Sequence, residues 1–151
     1  MKLLYAFAFL LIFQDTPFKN KEEFDVKLNF EFRQRPSESN TYTYRYQEKT
    51  DRSSPMLPYL TIDLKLNKLS TDETRIRVVN SKQVSVFTKK AQEGSIIKLD
   101  LGFTDDLKDR VTSHEYIALL LNAEKNPVSR IVISFGEDGS YFVNGEKRGK
   151  I

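Results

Sequence analysis

Between Phe24 and Phe32 the apolar residues Phe24, Val26, Leu28, Phe30 and Phe32 alternate strictly with Asp25, Lys27, Asn29 and Glu31. A period of two places all five apolar side chains on one face of a pleated strand and offers no stripe for a helix. The rhythm returns at Tyr42, Tyr44 and Tyr46, at Leu60, Ile62, Leu64 and Leu66, at Val84 and Val86, and at Ile97, Leu99, Leu101 and Phe103. A chain written this way is restricted to sheets that cover one face and wet the other. Two stretches differ. Tyr116 to Leu121 and Val128 to Phe135 carry consecutive apolar residues, Ile117-Ala118-Leu119-Leu120-Leu121 and Ile131-Val132-Ile133. They read as central strands covered on both faces.

Turn chemistry suggests how the strands connect. Pro36-Ser37-Glu38-Ser39-Asn40 separates Phe32 from Tyr42, and a hairpin centred on Glu38 pairs Phe32 with Tyr44, Phe30 with Tyr46 and Glu31 with Arg45. A second hairpin is expected from Leu60–Leu66 through the polar stretch Leu69 to Glu73 to Ile76 and Val78. Ala91 to Ser95 is turn-like, as is Gly136-Glu137-Asp138-Gly139. Asn144-Gly145 after Phe142-Val143 is a strong two-residue hairpin signal, because both positions tolerate positive φ. Thr104 before Asp105 and Asp106, with Lys108 and Arg110 after them, predicts one short helical turn near 104–111, acids at its start and cations at its end.

A length of 151 residues suits one domain. With 39% hydrophobic and 12% aromatic residues the chain can build a packed core. The expected fold is all-β: a single-domain antiparallel β-sandwich or closed barrel of about 8 to 10 strands. Ahead of it, Met1-Lys2 introduces the unbroken apolar run Leu3 to Phe13. That run is too short for a bilayer-spanning helix, which needs roughly 18 or more residues, and it fits a secretory signal. The division is a signal over 1–16 and one β domain over 17–151, which makes the protein secreted or periplasmic, a resident of a bacterial envelope, and not integral to the membrane once the signal is removed. A transmembrane barrel is disfavoured because the doubly apolar segments leave no polar lumen side.

Missing residue types exclude whole chemistries. No cysteine occurs, so disulfides, thiolate nucleophiles and zinc ribbons are absent. There is a single histidine, His114, and its neighbour Glu115 points to the other face of a strand. No glycine motif for phosphates or dinucleotides and no nucleophile elbow appears, so no cofactor is expected and the protein reads as non-enzymatic. A carboxylate-based hydrolase stays as the minor enzymatic alternative. Asp105, Asp106 and Asp109, with Asp100 nearby, lack the spacing of a calcium loop, so no metal site is read there. A net charge of +3 gives no nucleic-acid footprint.

One constellation invites a ligand. Tyr42, Tyr44 and Tyr46 would form a ladder of rings on one strand face, with Arg33 and Arg45 beside it. Facing outward, the ladder would stack on sugar rings. Facing inward, over Phe30 and Phe32, it would be core, which alternation favours. The functional expectation is a binding or interaction module whose partner is a glycan, a lipid or an envelope protein. The alternative is a carrier with a small molecule inside a barrel pocket.

Overall fold

The computed structural model describes residues 16–35, 55–104 and 115–151. Nine strands make up about two thirds of it: β1 (Phe24–Gln34), β2 (Met56–Leu66), β3 (Arg75–Asn80), β4 (Ser85–Lys90), β5 (Ile96–Phe103), β6 (Glu115–Leu121), β7 (Pro127–Phe135), β8 (Ser140–Val143) and β9 (Glu146–Lys150). They form two antiparallel sheets, a three-stranded one in the order β1-β2-β5 and a six-stranded one in the order β4-β3-β6-β7-β8-β9. Neither sheet closes, so the fold is sandwich-like and not a barrel. The helical content described is one 3-10 turn over Lys21–Glu23, where Glu23 N–H donates to Asn20 O and Asn20 N–H donates to the Glu23 carboxylate.

The core lies between the sheets. Ile62, Leu64, Leu66, Ile97 and Leu99 of the smaller sheet meet Ile76, Val78, Ala118, Leu120, Ile131 and Ile133 of the larger. As the apolar runs predict, β6 and β7 are interior strands of their sheet. Leu119 and Leu121 are buried on the opposite face with Ile117 packed against them. The Asn144-Gly145 hairpin forms with φ of 50° and 80° at the two positions.

Four expectations are corrected. First, β2 and β3 do not form a hairpin: they lie in different sheets. The 67–74 connection crosses over, tied by Asn67 and Lys68 N–H to Glu23 O and by Thr74 N–H to Leu121 O, while Ser95 and Gly94 close on Leu66. Chain adjacency alone favoured the hairpin, and tertiary hydrogen bonds overrule it. Second, β4 exists but Val84 and Val86 are more than half exposed, because β4 is an edge strand with little packed over it.

Third, the alternation in β5 breaks at a bulge. Thr61 pairs with Asp100 but Leu60 pairs with Gly102, so Leu101 is the extra residue. Gly102 has φ of 134°, which only glycine adopts without strain. Phe103 therefore turns to the outer face, opposite Tyr59. Fourth, Phe30 and Phe32 are 55% and 65% exposed and not core. β1 and β2 run 11 residues each, whereas β3 runs 6. The long ribbon outruns its cover, and the same apolar face that buries Phe24 is open at Phe32.

Tyr42, Tyr44, Tyr46 and Arg45, the hairpin that would contain them, the helical turn beyond Thr104, His114 and residues 1–15 lie outside the described residues. The described partner of β1 is β2, paired from Phe24–Leu66 to Gln34–Met56.

The N-terminal residues of the described chain belong to the fold. β8 pairs with β7 only at residues 133–135. Further along β7, Arg130 N–H donates to Pro17 O, Lys19 N–H donates to Arg130 O, and Phe18 forms a parallel bridge to Arg130. Lys19 is itself buried and pairs with buried Glu73 at 2.6 Å. It also donates to Lys68 O at 3.0 Å, and Ser129 Oγ donates to the other Glu73 oxygen.

Candidate binding surface

The outer face of the three-stranded sheet carries what alternation leaves over: Asp25, Lys27, Asn29, Glu31 and Arg33 from β1, Tyr59, Thr61, Asp63 and Lys65 from β2, and Lys98 and Asp100 from β5. The bulge adds Phe103. At the end of the sheet from which the β1–β2 and β5–β6 connections leave, these residues organise around Arg33.

Glu31 Oε2 accepts from both Nε and Nη2 of Arg33, at 3.0 and 2.7 Å. Arg33 Nη1 lies 3.5 Å from Asp100 Oδ1. The second Glu31 oxygen accepts from Lys98 Nζ. Held by these carboxylates, the guanidinium lies over the Tyr59 ring, its carbon 3.9 Å from the ring centre. Tyr59 meets Phe103 edge-on at 4.9 Å and 86°, and the Arg35 guanidinium lies 4.9 Å from the Phe103 ring centre. The order along the surface is cation, ring, ring, cation, each guanidinium beside one ring, as the ring quadrupole favours.

The charges reinforce one another. Lys98 and then Arg33 hold the Glu31 carboxyl below the ordinary carboxylate range. Glu31 in turn raises Arg33 and Lys98. Glu31 is therefore an anchored anion and a poor proton donor near neutral pH. Next to it, Asn29 donates to Asp63 at 2.7 Å. Thr61 is fully buried in this face, and Thr61 Oγ1 and Asp63 Oδ1 have no hydrogen-bond partner. The surface offers stacking area, while these two atoms lie beneath it.

Of the residues singled out in the sequence, Arg33 stands at the centre of this surface, while Tyr42, Tyr44, Tyr46 and Arg45 fall outside the described residues. Asp100 lies against the Arg33 guanidinium. Among the described residues no group of three or more acids, histidines or cysteines is placed to hold a metal. Tyr59 was passed over in the sequence although its phase gives it away, since it alternates with Thr61, Asp63 and Lys65 on the polar side of β2. The phase of Phe103, in step with Ile97, Leu99 and Leu101, pointed to the inner face. Gly102 beside it, inside an apolar run, was the clue to a bulge.

Elsewhere, Lys19, Glu73 and Ser129 resemble a catalytic grouping in composition only. All three are buried, so the cluster has no access for a substrate. Burial pushes Glu73 up, but hydrogen bonds from Lys19, Ser129 and the Ser70 N–H outweigh it and hold the carboxyl below its ordinary value. A shallow cavity of about 100 Å³ opens between the sheets beside Lys21, Phe24, Asp25, Val26, Val143 and Arg148. No family model, curated protein or solved structure matches the chain.

Proposed function

We propose that the protein is an exported, non-enzymatic β-sandwich module that binds the sugar rings of an envelope glycan on the outer face of its three-stranded sheet. The observation that carries this reading is the guanidinium of Arg33, clamped by Glu31 and Asp100 and set over the Tyr59 ring beside Phe103. Ordered stacking surface flanked by carboxylates and a guanidinium is what a sugar needs, since a pyranose presents an apolar face and a rim of hydroxyls. Preorganisation by Glu31 and Asp100 lowers the ordering cost of binding. Export rests on the apolar run Leu3 to Phe13. No helix among the described residues is long and apolar enough to cross a membrane.

The carrier reading is weaker because the sheets do not close around a pocket. A hydrolase would use Glu31 and Asp100, but both are committed to Arg33, and Glu31 is held ionised.

Titration of the protein with a panel of soluble neutral and acidic envelope polysaccharides tests the proposal. Saturable binding that Tyr59→Ala weakens by about tenfold or more supports it. No binding across the panel, or binding indifferent to Tyr59→Ala, overturns it. A lipid recovered by mass spectrometry from the purified protein would favour the carrier instead.

A further inference from the structure

A second surface lies on the β4 edge of the six-stranded sheet. Between Thr74 and Gln92 the chain carries Arg75, Arg77, Lys82, Lys89 and Lys90 and no carboxylate. The whole chain has a net charge of only +3, so its basic excess is gathered in this one stretch. The fold makes it a hairpin, with β4 pairing on one side with β3 and, among the described residues, with no strand on the other. Every residue of β4 except Phe87 is exposed, as are Arg75 and Lys82. Arg75 stands directly opposite Lys90, a like-charge cross-strand pair that costs stability in isolation. Neither has an ion-pair partner among the described residues. Val84 and Val86, 57% and 52% exposed, lie at the other end of the strand.

The backbone phase is also defined. Ala91 N–H donates to Thr74 O. By the alternation of an antiparallel ladder, Lys89 and Phe87 then face β3, and the N–H and C=O groups of Thr88 and Lys90 point outward, unpaired. Open edges invite another strand, and a lysine-rich edge repels a copy of itself.

We propose that the β4 edge docks an extended acidic peptide segment, which adds as a strand to Thr88 and Lys90, sets carboxylates against Arg75, Lys89 and Lys90, and lays a small apolar residue on Val84 and Val86. Backbone pairing supplies affinity and the lysines supply selection. A flexible polyanion would satisfy the charges but would use neither the outward backbone groups nor the exposed valines.

The test uses the full chain and a capped nonapeptide of sequence Ser-Val-Thr-Val-Glu-Thr-Glu-Asp-Ser, with its Glu and Asp changed to Gln and Asn as control. Hydrogen exchange is read at the β4 amides, and inorganic polyphosphate is the competing probe. The expected result is protection of the Thr88 and Lys90 amides by the acidic peptide and not by its amide control. Lys89→Glu with Lys90→Glu should weaken binding by about tenfold or more. Thr88→Pro removes one outward N–H and leaves the β3 ladder intact, so it should abolish binding while the unfolding midpoint stays close to that of the parent. If Thr88→Pro folds and binds as well as the parent, or if polyphosphate binds more tightly than the peptide with no amide protected, the edge is a polyanion site and the proposal falls. Absence of any peptide binding also overturns it.

Discussion

The Arg33 guanidinium and the Tyr59 ring are stacked 3.9 Å apart, joined across the β1–β2 ladder. The stack is held from the side by Glu31 and Asp100, so its order does not depend on burial. Replacing Tyr59 by Leu keeps the bulk and removes the ring quadrupole. Glycan binding should fall by about tenfold or more while the unfolding midpoint moves little, measured by titration and by thermal melting of the same preparations.

Lys19→Met should be among the most damaging single changes at a polar site. It leaves Glu73 buried without its cation, at a cost of about 3 to 5 kcal/mol. Pairing it with Glu73→Leu should recover most of that loss, since two apolar groups then replace two charges. Urea unfolding of the two single variants and the double variant checks this, and equal stability of Lys19→Met and wild type would contradict the role given to the pair.

Stability should fall at both ends of the pH scale for separate reasons. The Glu73 carboxyl is held below its ordinary value of 4.5 in the folded state. The unfolded chain therefore takes up its proton first, and the contribution of Glu73, complete above about pH 4.5, is lost as pH falls through the folded value. Tyr116 is shifted upward from 10.0, mainly by burial. Its contribution is complete below about pH 10 and is lost as pH rises through the folded value. Urea midpoints across the range should show the acid limb flattened by Glu73→Gln and the alkaline limb flattened by Tyr116→Phe. High salt should weaken the parts due to the exposed carboxyls of Glu31 and Asp138, which are also held low, and should spare that of buried Glu73.

Gly102→Ala should cost about 1 to 3 kcal/mol through the backbone alone. A Cβ there meets nothing within 4 Å, but φ of 134° is closed to other residues. Relief of the strain would require the bulge to slip, which would turn Phe103 off the outer face. The variant should therefore lose glycan affinity beyond its loss of stability, as read by paired titration and urea melts.

Alternation made the strands legible, and the two doubly apolar segments marked the centre of the larger sheet. Pairing was legible only where a turn was local and chemically distinctive, as at Asn144-Gly145. The partners of β2 were not, because nothing in residues 67–74 announces a crossover that depends on Glu23 and Leu121, distant in sequence. Arg33 was legible as a candidate from its charge beside an aromatic ladder. Its actual partners come from three strands and one bulge, and long-range register is invisible to a reading by local period. Phe30 and Phe32 show the limit of periodicity most plainly: phase tells which face a side chain takes, and the length of the facing strands decides whether that face is covered.

The slot on β7 filled by Pro17 to Lys19 has a consequence for assembly. A polypeptide that emerges with its amino end first, from a ribosome or a translocase, offers Lys19 long before Arg130 and Asn144 exist to receive it. The opening residues must wait, unsheltered, until nearly the last strand arrives. Completion of this molecule is therefore an event of the whole chain, and a stalled or truncated product ending before β7 would have no place to put its own beginning.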